Sequence, residues 1–207
     1  MQKCGWVVHR IVNYTKYSKM NIEDVLKTIP DKTEWQTTTS HKFKLDVFHF
    51  FKEMGKGRSC LELGTHKGQT TKVLSLIFDE VFTINHGDHS AAMEFNADRT
   101  NINFLKHDLY SEKWWENVPR ADVIFIDALH ETKAVLMDVE NSLKIYSPDK
   151  KYFIFDDYGL IQPVRMAINK LLFGPLSKVC TIGEPKGHKF TENHLLLDSE
   201  GLICIEN

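Results

Sequence analysis

Cysteine is scarce: Cys4, Cys60, Cys180 and Cys204 are the only four in 207 residues, and no two form a CxxC pair. That excludes a disulfide-dense miniprotein and argues against a zinc framework, leaving buried reduced thiols as the expectation. No charge of one sign dominates, because 26 Lys and Arg stand against 28 Asp and Glu, a net charge of −2. Binding nucleic acid by bulk charge needs a basic excess, so no nucleic-acid partner is expected, although a local basic patch is compatible with the count. Long apolar runs are missing as well. The N-terminal MQKCGWVVHRIVNYTKY is broken by His9 and Arg10, too short and polar for a signal peptide or a membrane span. A soluble protein of a reducing, cytoplasmic compartment, with no membrane partner, is expected. Repeats, low-complexity tracts and linkers are absent too. Apolar residues make up 42% and charged residues 26%, enough for a full core. One domain over 1–207 is expected, with an N-terminal extension (1–55) ahead of a core (56–207).

What is present is alternation. Short β-branched or aromatic runs predict strands at Ser59–Leu63, Val81–Asn85, Ile102–Lys106, Asp122–Asp127 and Tyr152–Asp156. Amphipathic stretches between and after them predict helices near Gln69–Phe78, Ser90–Arg99, Thr132–Tyr146 and Pro163–Phe173. Strand–helix repetition of this kind implies right-handed crossovers and a mainly parallel sheet covered on both sides, an α/β fold. The tail differs. Lys178–Ile182, His194–Leu197 and Leu202–Ile205 predict strands, the last two joined by a turn at Asp198–Gly201, pairing antiparallel to close one sheet edge. Before the first strand, Asn21–Ile29 predicts a short helix capped by its asparagine, and Lys44–Met54 another.

The first strand ends in Glu62-x-Gly64-x-x-x-Gly68 and passes into a helix. Glycine at a strand end lets the backbone approach a ligand closely, and the second glycine lets the helix begin tight against the sheet. Thr65, His66 and Lys67 fill the interval, so this is not the GxGxxG of nicotinamide-binding proteins. Later strands end in or are followed by Asn85, Asp108, Asp127 and Asp156-Asp157, which would line one rim of a parallel sheet. Each could equally cap a helix or turn; together they point to a site.

Asp127, Asp156 and Asp157 end neighbouring strands, so their carboxylates should converge and repel unless a cation sits between them. Clustered carboxylates suit a hard ion with oxygen ligands, most plainly Mg²⁺. His130, three residues after Asp127, is a candidate general base for a metal-held hydroxyl, or else one surface histidine among ten. His86 and His89 are expected in a loop lining a cofactor pocket.

These residues resemble a family. Glu62-Leu-Gly-Thr-His-Lys-Gly68 with a polar rim residue after each strand is similar to class I S-adenosylmethionine-dependent methyltransferases. Ile126-Asp-Ala-Leu-His130, Phe155-Asp-Asp-Tyr-Gly159 and Val164-Arg-Met-Ala-Ile168 look like the macrocin O-methyltransferase group, over roughly Cys60 to Glu206. Catechol-type O-methyltransferases are similar too, with a lysine where this chain has His130. The resemblance implies a Rossmann-like, doubly wound sheet of seven strands with an antiparallel C-terminal edge strand. It also implies S-adenosylmethionine and Mg²⁺ as cofactors and methylation of sugar hydroxyls, often on 6-deoxyhexoses. Glu62, Gly64, Thr65 and Gly68 would shape the pocket for the amino-acid end of the cofactor, and Asp108 and Leu109 would flank the adenine. The family usually has an acid for the ribose hydroxyls where this chain has Asn85, and Asp88 can take its place.

The expected activity is O-methyl transfer to a sugar or glycan hydroxyl. Mg²⁺ would sit on Asp127, Asp156 and Asp157, with His130 and Asp127 catalytic. Trp35, Thr37–Thr39, Ser40 and His41 are expected to cover the acceptor. A catechol-like acceptor and a non-catalytic cofactor-binding module are the rivals, and self-association into a homo-oligomer stays open.

Overall fold

The computed structural model describes residues 21–31, 38–187 and 197–207. Strands β1 (Ser59–Leu63), β2 (Glu80–Asn85), β3 (Ile102–Lys106), β4 (Val123–Ile126) and β5 (Tyr152–Phe155) run parallel. β6 (Leu176–Gly187) and β7 (Leu197–Glu206) complete a seven-stranded sheet in the order β3-β2-β1-β4-β5-β7-β6, with β7 antiparallel to both its neighbours. This is the mainly parallel α/β sheet that the alternation implied, with the seven strands and antiparallel C-terminal strands that the resemblance implied. The order reverses between β1 and β4, and the crevice at such a switch point is where open α/β sheets bind ligands. No helix among the described residues is long and apolar enough to cross a membrane.

Alternation along the strands sorts the core into two layers. Leu61 and Leu63, Ile124 and Ile126, Phe153 and Phe155 pack with Val135 and Val139 of α5 (Thr132–Leu143) and Val164 and Ile168 of α6 (Gln162–Leu171). Cys60, Val123, Phe125 and Ile154 face the other way. They meet α1 (Ile22–Leu26), Phe43, Val47 and Phe51 of α2 (His41–Phe51), and Val73 and Leu74 of α3 (Gln69–Ile77). Burial on both faces is why the central strands read as continuous apolar runs. Since α1 and α2 supply one of these layers, the described part of the N-terminal segment is built into the domain.

Three local features depart from the expectation. Helix α2 starts at His41, ahead of the expected Lys44, because Ser40 caps it: its Oγ accepts the Phe43 N–H at 3.0 Å. Asn21 sits at the N-cap of α1 in extended conformation but makes no side-chain capping bond. The expected turn at Asp198–Gly201 is instead part of β7, which pairs with β6 across two register shifts. Glu200 is fully buried there, accepting the Ser40 N–H (2.8 Å), the Ser40 hydroxyl and the Glu184 N–H (3.2 Å). A Cβ on Gly201 would lie 2.2 Å from the Phe155 carbonyl oxygen. The turn-like composition serves a buried anchor and a close strand approach. Residues 194–196 of the expected strand lie outside the described residues, as do Trp35 and Thr37.

One carboxyl lies on the apolar face of α5. Asp138 has no solvent exposure; its Oδ2 accepts the Tyr110 hydroxyl at 3.4 Å, and its Oδ1 has no hydrogen-bond partner among the described residues. Burial pushes this carboxyl up from 3.8 to about 7. A raised acid pKa means that the folded state resists ionisation. The associated stability is therefore full below about pH 4 and is lost as pH rises through about 7. Asp138→Asn, neutral throughout, should gain on the wild type over that window, by at most about 4 kcal/mol. Urea unfolding of both proteins at about pH 4 and pH 8 checks this, and a difference that does not change with pH would contradict it.

Candidate active site

A cavity of about 1240 Å³ opens at the carboxyl ends of the parallel strands. Pockets for one small ligand run to roughly 300–1,000 Å³, so a nucleoside-sized molecule and a second one could share it. Its walls come from the expected rim: Gly64 after β1, Asn85 ending β2, Asp108 after β3, Asp127 after β4, and Asp156 and Asp157 after β5.

The turn after β1 is shaped by contact with β4. Gly64 has φ 103°, and a Cβ there would lie 2.0 Å from the Asp127 carbonyl oxygen. Only glycine lets the two strand ends come that close. Gly68, the N-cap of α3, is away from the cavity: a Cβ on it would meet Asn96 Nδ2 at 2.5 Å and Ala92 at 2.9 Å, so it seats α3 against α4 (Ser90–Phe95). Glu62 is buried beneath the turn and accepts the Thr71 and Thr83 hydroxyls at 2.5 and 2.6 Å. Burial dominates those bonds and, with the nearby Asp127 charge, pushes the Glu62 carboxyl up to about 8. Thr65 pairs with Thr83 at 2.6 Å. Glu62 and Thr65 line a small polar notch that shares Thr38, Gly64 and Asp127 with the main cavity.

The next two strand ends form the opposite wall. Asn85, His86 and Asp88 line it after β2, and Asp108 and Leu109 after β3. Both aspartates hold their own loops. Asp88 accepts from the Ser90 hydroxyl and N–H, and Asp108 from the Ser111 hydroxyl and the Tyr110 N–H; these bonds hold both carboxyls below the usual range. His89, expected to line the pocket, turns away. Its ring is buried edge-on to Phe104, with Nε2 3.0 Å from the Leu105 carbonyl oxygen.

The acidic cluster lies where β4 and β5 end side by side. Asp127, His130 and Asp157 each offer a ligand atom, all within 4.8 Å of one another. His130 Nε2 is 3.4 Å from Asp127 Oδ1 and 3.2 Å from Asp157 Oδ2. Asp156, nearly buried, lines the same cavity but is not one of these three. Asp157 takes φ 58°, a left-handed conformation uncommon outside glycine, and its carbonyl accepts the Leu160 and Ile161 N–H groups.

Several lining residues were not singled out from sequence. His66 and Lys67 sit inside the glycine interval, where their side chains were legible in principle. Leu129, Leu160 and Ile161 form an aliphatic side beside the cluster, and Tyr110 contributes from the β3 loop. Thr38 is the one described member of the expected acceptor cover that reaches the cavity. Lys44, buried, holds it by donating to the Thr38 hydroxyl at 3.0 Å and the Thr39 hydroxyl at 2.7 Å. Ser40 and His41 serve other contacts, Ser40 with Glu200, and His41 with the Ile29 carbonyl at 2.7 Å.

Residues 61–158 match the family model of a methyltransferase domain. No curated protein matches the chain significantly. Among solved structures, the N-methyltransferase NodS from Bradyrhizobium japonicum WM9, in complex with S-adenosyl-L-homocysteine, is similar at TM-score 0.58 and 13% identity. That match covers 79% of this chain and 84% of NodS. A Klebsiella pneumoniae protein, described provisionally as an O-methyltransferase, is similar at TM-score 0.57 and 16% identity, covering 89% and 88%. A precorrin 8w decarboxylase from Methanobacterium thermoautotrophicum reaches TM-score 0.60 at 12% identity, covering 87% and 97%. Residues 61–158 thus resemble a methyltransferase domain, and the fold around them is shared with methyltransferases of known structure.

Proposed function

We propose that this protein is an S-adenosylmethionine-dependent, Mg²⁺-dependent O-methyltransferase acting on a sugar hydroxyl, of the macrocin O-methyltransferase kind. The observation that carries the reading is one cavity in which the Gly64 turn and the Asp127–His130–Asp157 cluster share walls. The methyltransferase-domain match over 61–158 and the likeness to a fold that binds S-adenosyl-L-homocysteine in NodS support it.

The donor chemistry suits a hard divalent ion: Asp127 and Asp157 face one another across His130, and Asp156 adds a third carboxyl to the same cavity. Asp127, Asp157 and Asp156 would hold Mg²⁺, which when bound supplies Lewis acidity that eases loss of the acceptor's hydroxyl proton. S-adenosylmethionine, when bound, supplies the electrophilic methyl group. The chain's own residues do the rest. The Gly64 turn and the notch of Glu62 and Thr65 would receive the amino-acid end, Asn85 and Asp88 the ribose hydroxyls, and Asp108 and Leu109 the adenine. His130 would take the hydroxyl proton, and the flanking carboxylates would stabilise its imidazolium. Orienting nucleophile and methyl together is worth up to roughly 7–11 kcal/mol in favourable cases. A catechol-like acceptor is the second reading, favoured by the aliphatic side of Leu129, Leu160 and Ile161.

Two variants and a product test decide it. Asp156→Asn combined with Asp157→Asn should abolish Mg²⁺-stimulated turnover while S-adenosylhomocysteine still binds by calorimetry; activity that persists in excess chelator would refute the metal role. His130→Ala should lower kcat by about 10²–10⁴ if it is the base, and an unaltered pH–rate profile would reject that assignment. Mass spectrometry after incubation with labelled cofactor and a panel of deoxysugar glycosides and catechols separates the two acceptors. Absence of S-adenosylhomocysteine binding, with or without Mg²⁺, would remove both.

A further inference from the structure

A hydrogen-bonded strut links the core to the turn that carries His130. The Leu129 N–H donates to the Tyr110 hydroxyl oxygen at 3.2 Å, and that hydroxyl donates to Asp138 Oδ2 at 3.4 Å. Tyr110 is also held at its backbone, where its N–H donates to Asp108 Oδ1 at 2.9 Å. The phenol therefore spans from the loop after β3 to the loop after β4, and its ring lines the cavity between them. Aligned donors and acceptors in such a chain polarise one another.

Stability alone gives a poor account of Asp138. Its helix neighbours Val135 and Val139 are core residues, and a hydrophobic side chain would pack there without the cost of burying a carboxyl. One of its oxygens lacks a partner among the described residues, and burial pushes its carboxyl up to about 7. Leu129, by contrast, is half exposed, so water could satisfy its N–H cheaply. A costly buried acceptor that orients a phenol toward an exposed amide is arranged to fix a conformation. The conformation it fixes is that of Ala128–Leu129–His130, between Asp127 and the ring lying against Asp157.

We propose that Asp138 is a positioning residue: acting through Tyr110, it sets the 128–130 turn and so aims His130 at the acceptor. The catalytic half of this inference rests on the methyltransferase reading above; the structural half does not. The test uses the full chain as wild type, Tyr110→Phe, Asp138→Asn and Asp138→Leu. Amide hydrogen exchange at Leu129, resolved by NMR, needs no turnover. Tyr110→Phe should speed it by about tenfold, the scale of one lost hydrogen bond. Asp138→Asn, which still accepts from the phenol, should keep the protection, and Asp138→Leu should lose it. With an acceptor that the wild type methylates, Tyr110→Phe and Asp138→Leu should lower kcat by about tenfold or more while the S-adenosylhomocysteine Kd stays within about twofold; Asp138→Asn should restore kcat. Unchanged Leu129 exchange in Tyr110→Phe overturns the strut. Faster exchange with unchanged kcat overturns its aim at His130. A wild type that binds no S-adenosylhomocysteine removes the catalytic reading instead, and the exchange measurement still decides the strut.

Discussion

Two carboxylates held against one imidazole at the ends of adjacent parallel strands set the terms for everything around them. Asp127 and Asp157 approach within the reach of His130 because β4 and β5 pair in register, Ile126 beside Phe155, so Asp127 and Asp156 emerge on the same rim and Asp157 follows one residue on, in left-handed backbone. Like charges at that spacing repel, and in low dielectric the repulsion is expensive unless a positive group shares the space. In the proposed function a divalent cation would supply that charge. The left-handed backbone of Asp157 fits this picture, since strain of that kind persists only where the surroundings hold it in place.

The rim is coupled to the sheet by close approaches rather than by bulk. Gly64 lets β1 press on the Asp127 carbonyl, so the turn after β1 and the acidic cluster share one piece of backbone. Below them lies a second tier of carboxyls withdrawn from solvent, Glu62 under the Gly64 turn and Asp138 behind Tyr110, both pushed toward neutrality by burial. Glu200 anchors Ser40 at the start of α2, and Lys44 on that helix fixes Thr38 at the cavity edge. The described residues from Thr38 through α2 thereby reach the site through a helix that is itself part of the core.

What was legible in the sequence follows from periodicity. Alternating runs located β1 to β5 within a residue or two, and parallel pairing then required Asn85, Asp108, Asp127 and Asp156 to share a rim. Partnerships made only in three dimensions were not legible. Nothing local tells Gly68 that its neighbour is Asn96, or Asp138 that its neighbour is Tyr110, 28 residues earlier. The tail misled for a related reason: Ser199, Glu200 and Gly201 have turn composition, yet a bulged ladder uses the glycine for close approach and the glutamate as an anchor. His130 was legible as a candidate base, but its position between two carboxylates depended on the backbone of Asp157.

The central claim is that the carboxylates after β4 and β5 bind a divalent cation beside the cofactor. Its most direct test is an electron paramagnetic resonance titration with Mn²⁺, a spectroscopic substitute for Mg²⁺, on protein saturated with S-adenosylhomocysteine. The account predicts a single saturable Mn²⁺ per chain that disappears in Asp127→Asn. Free Mn²⁺ signal at every concentration, or binding that Asp127→Asn leaves intact, would contradict it.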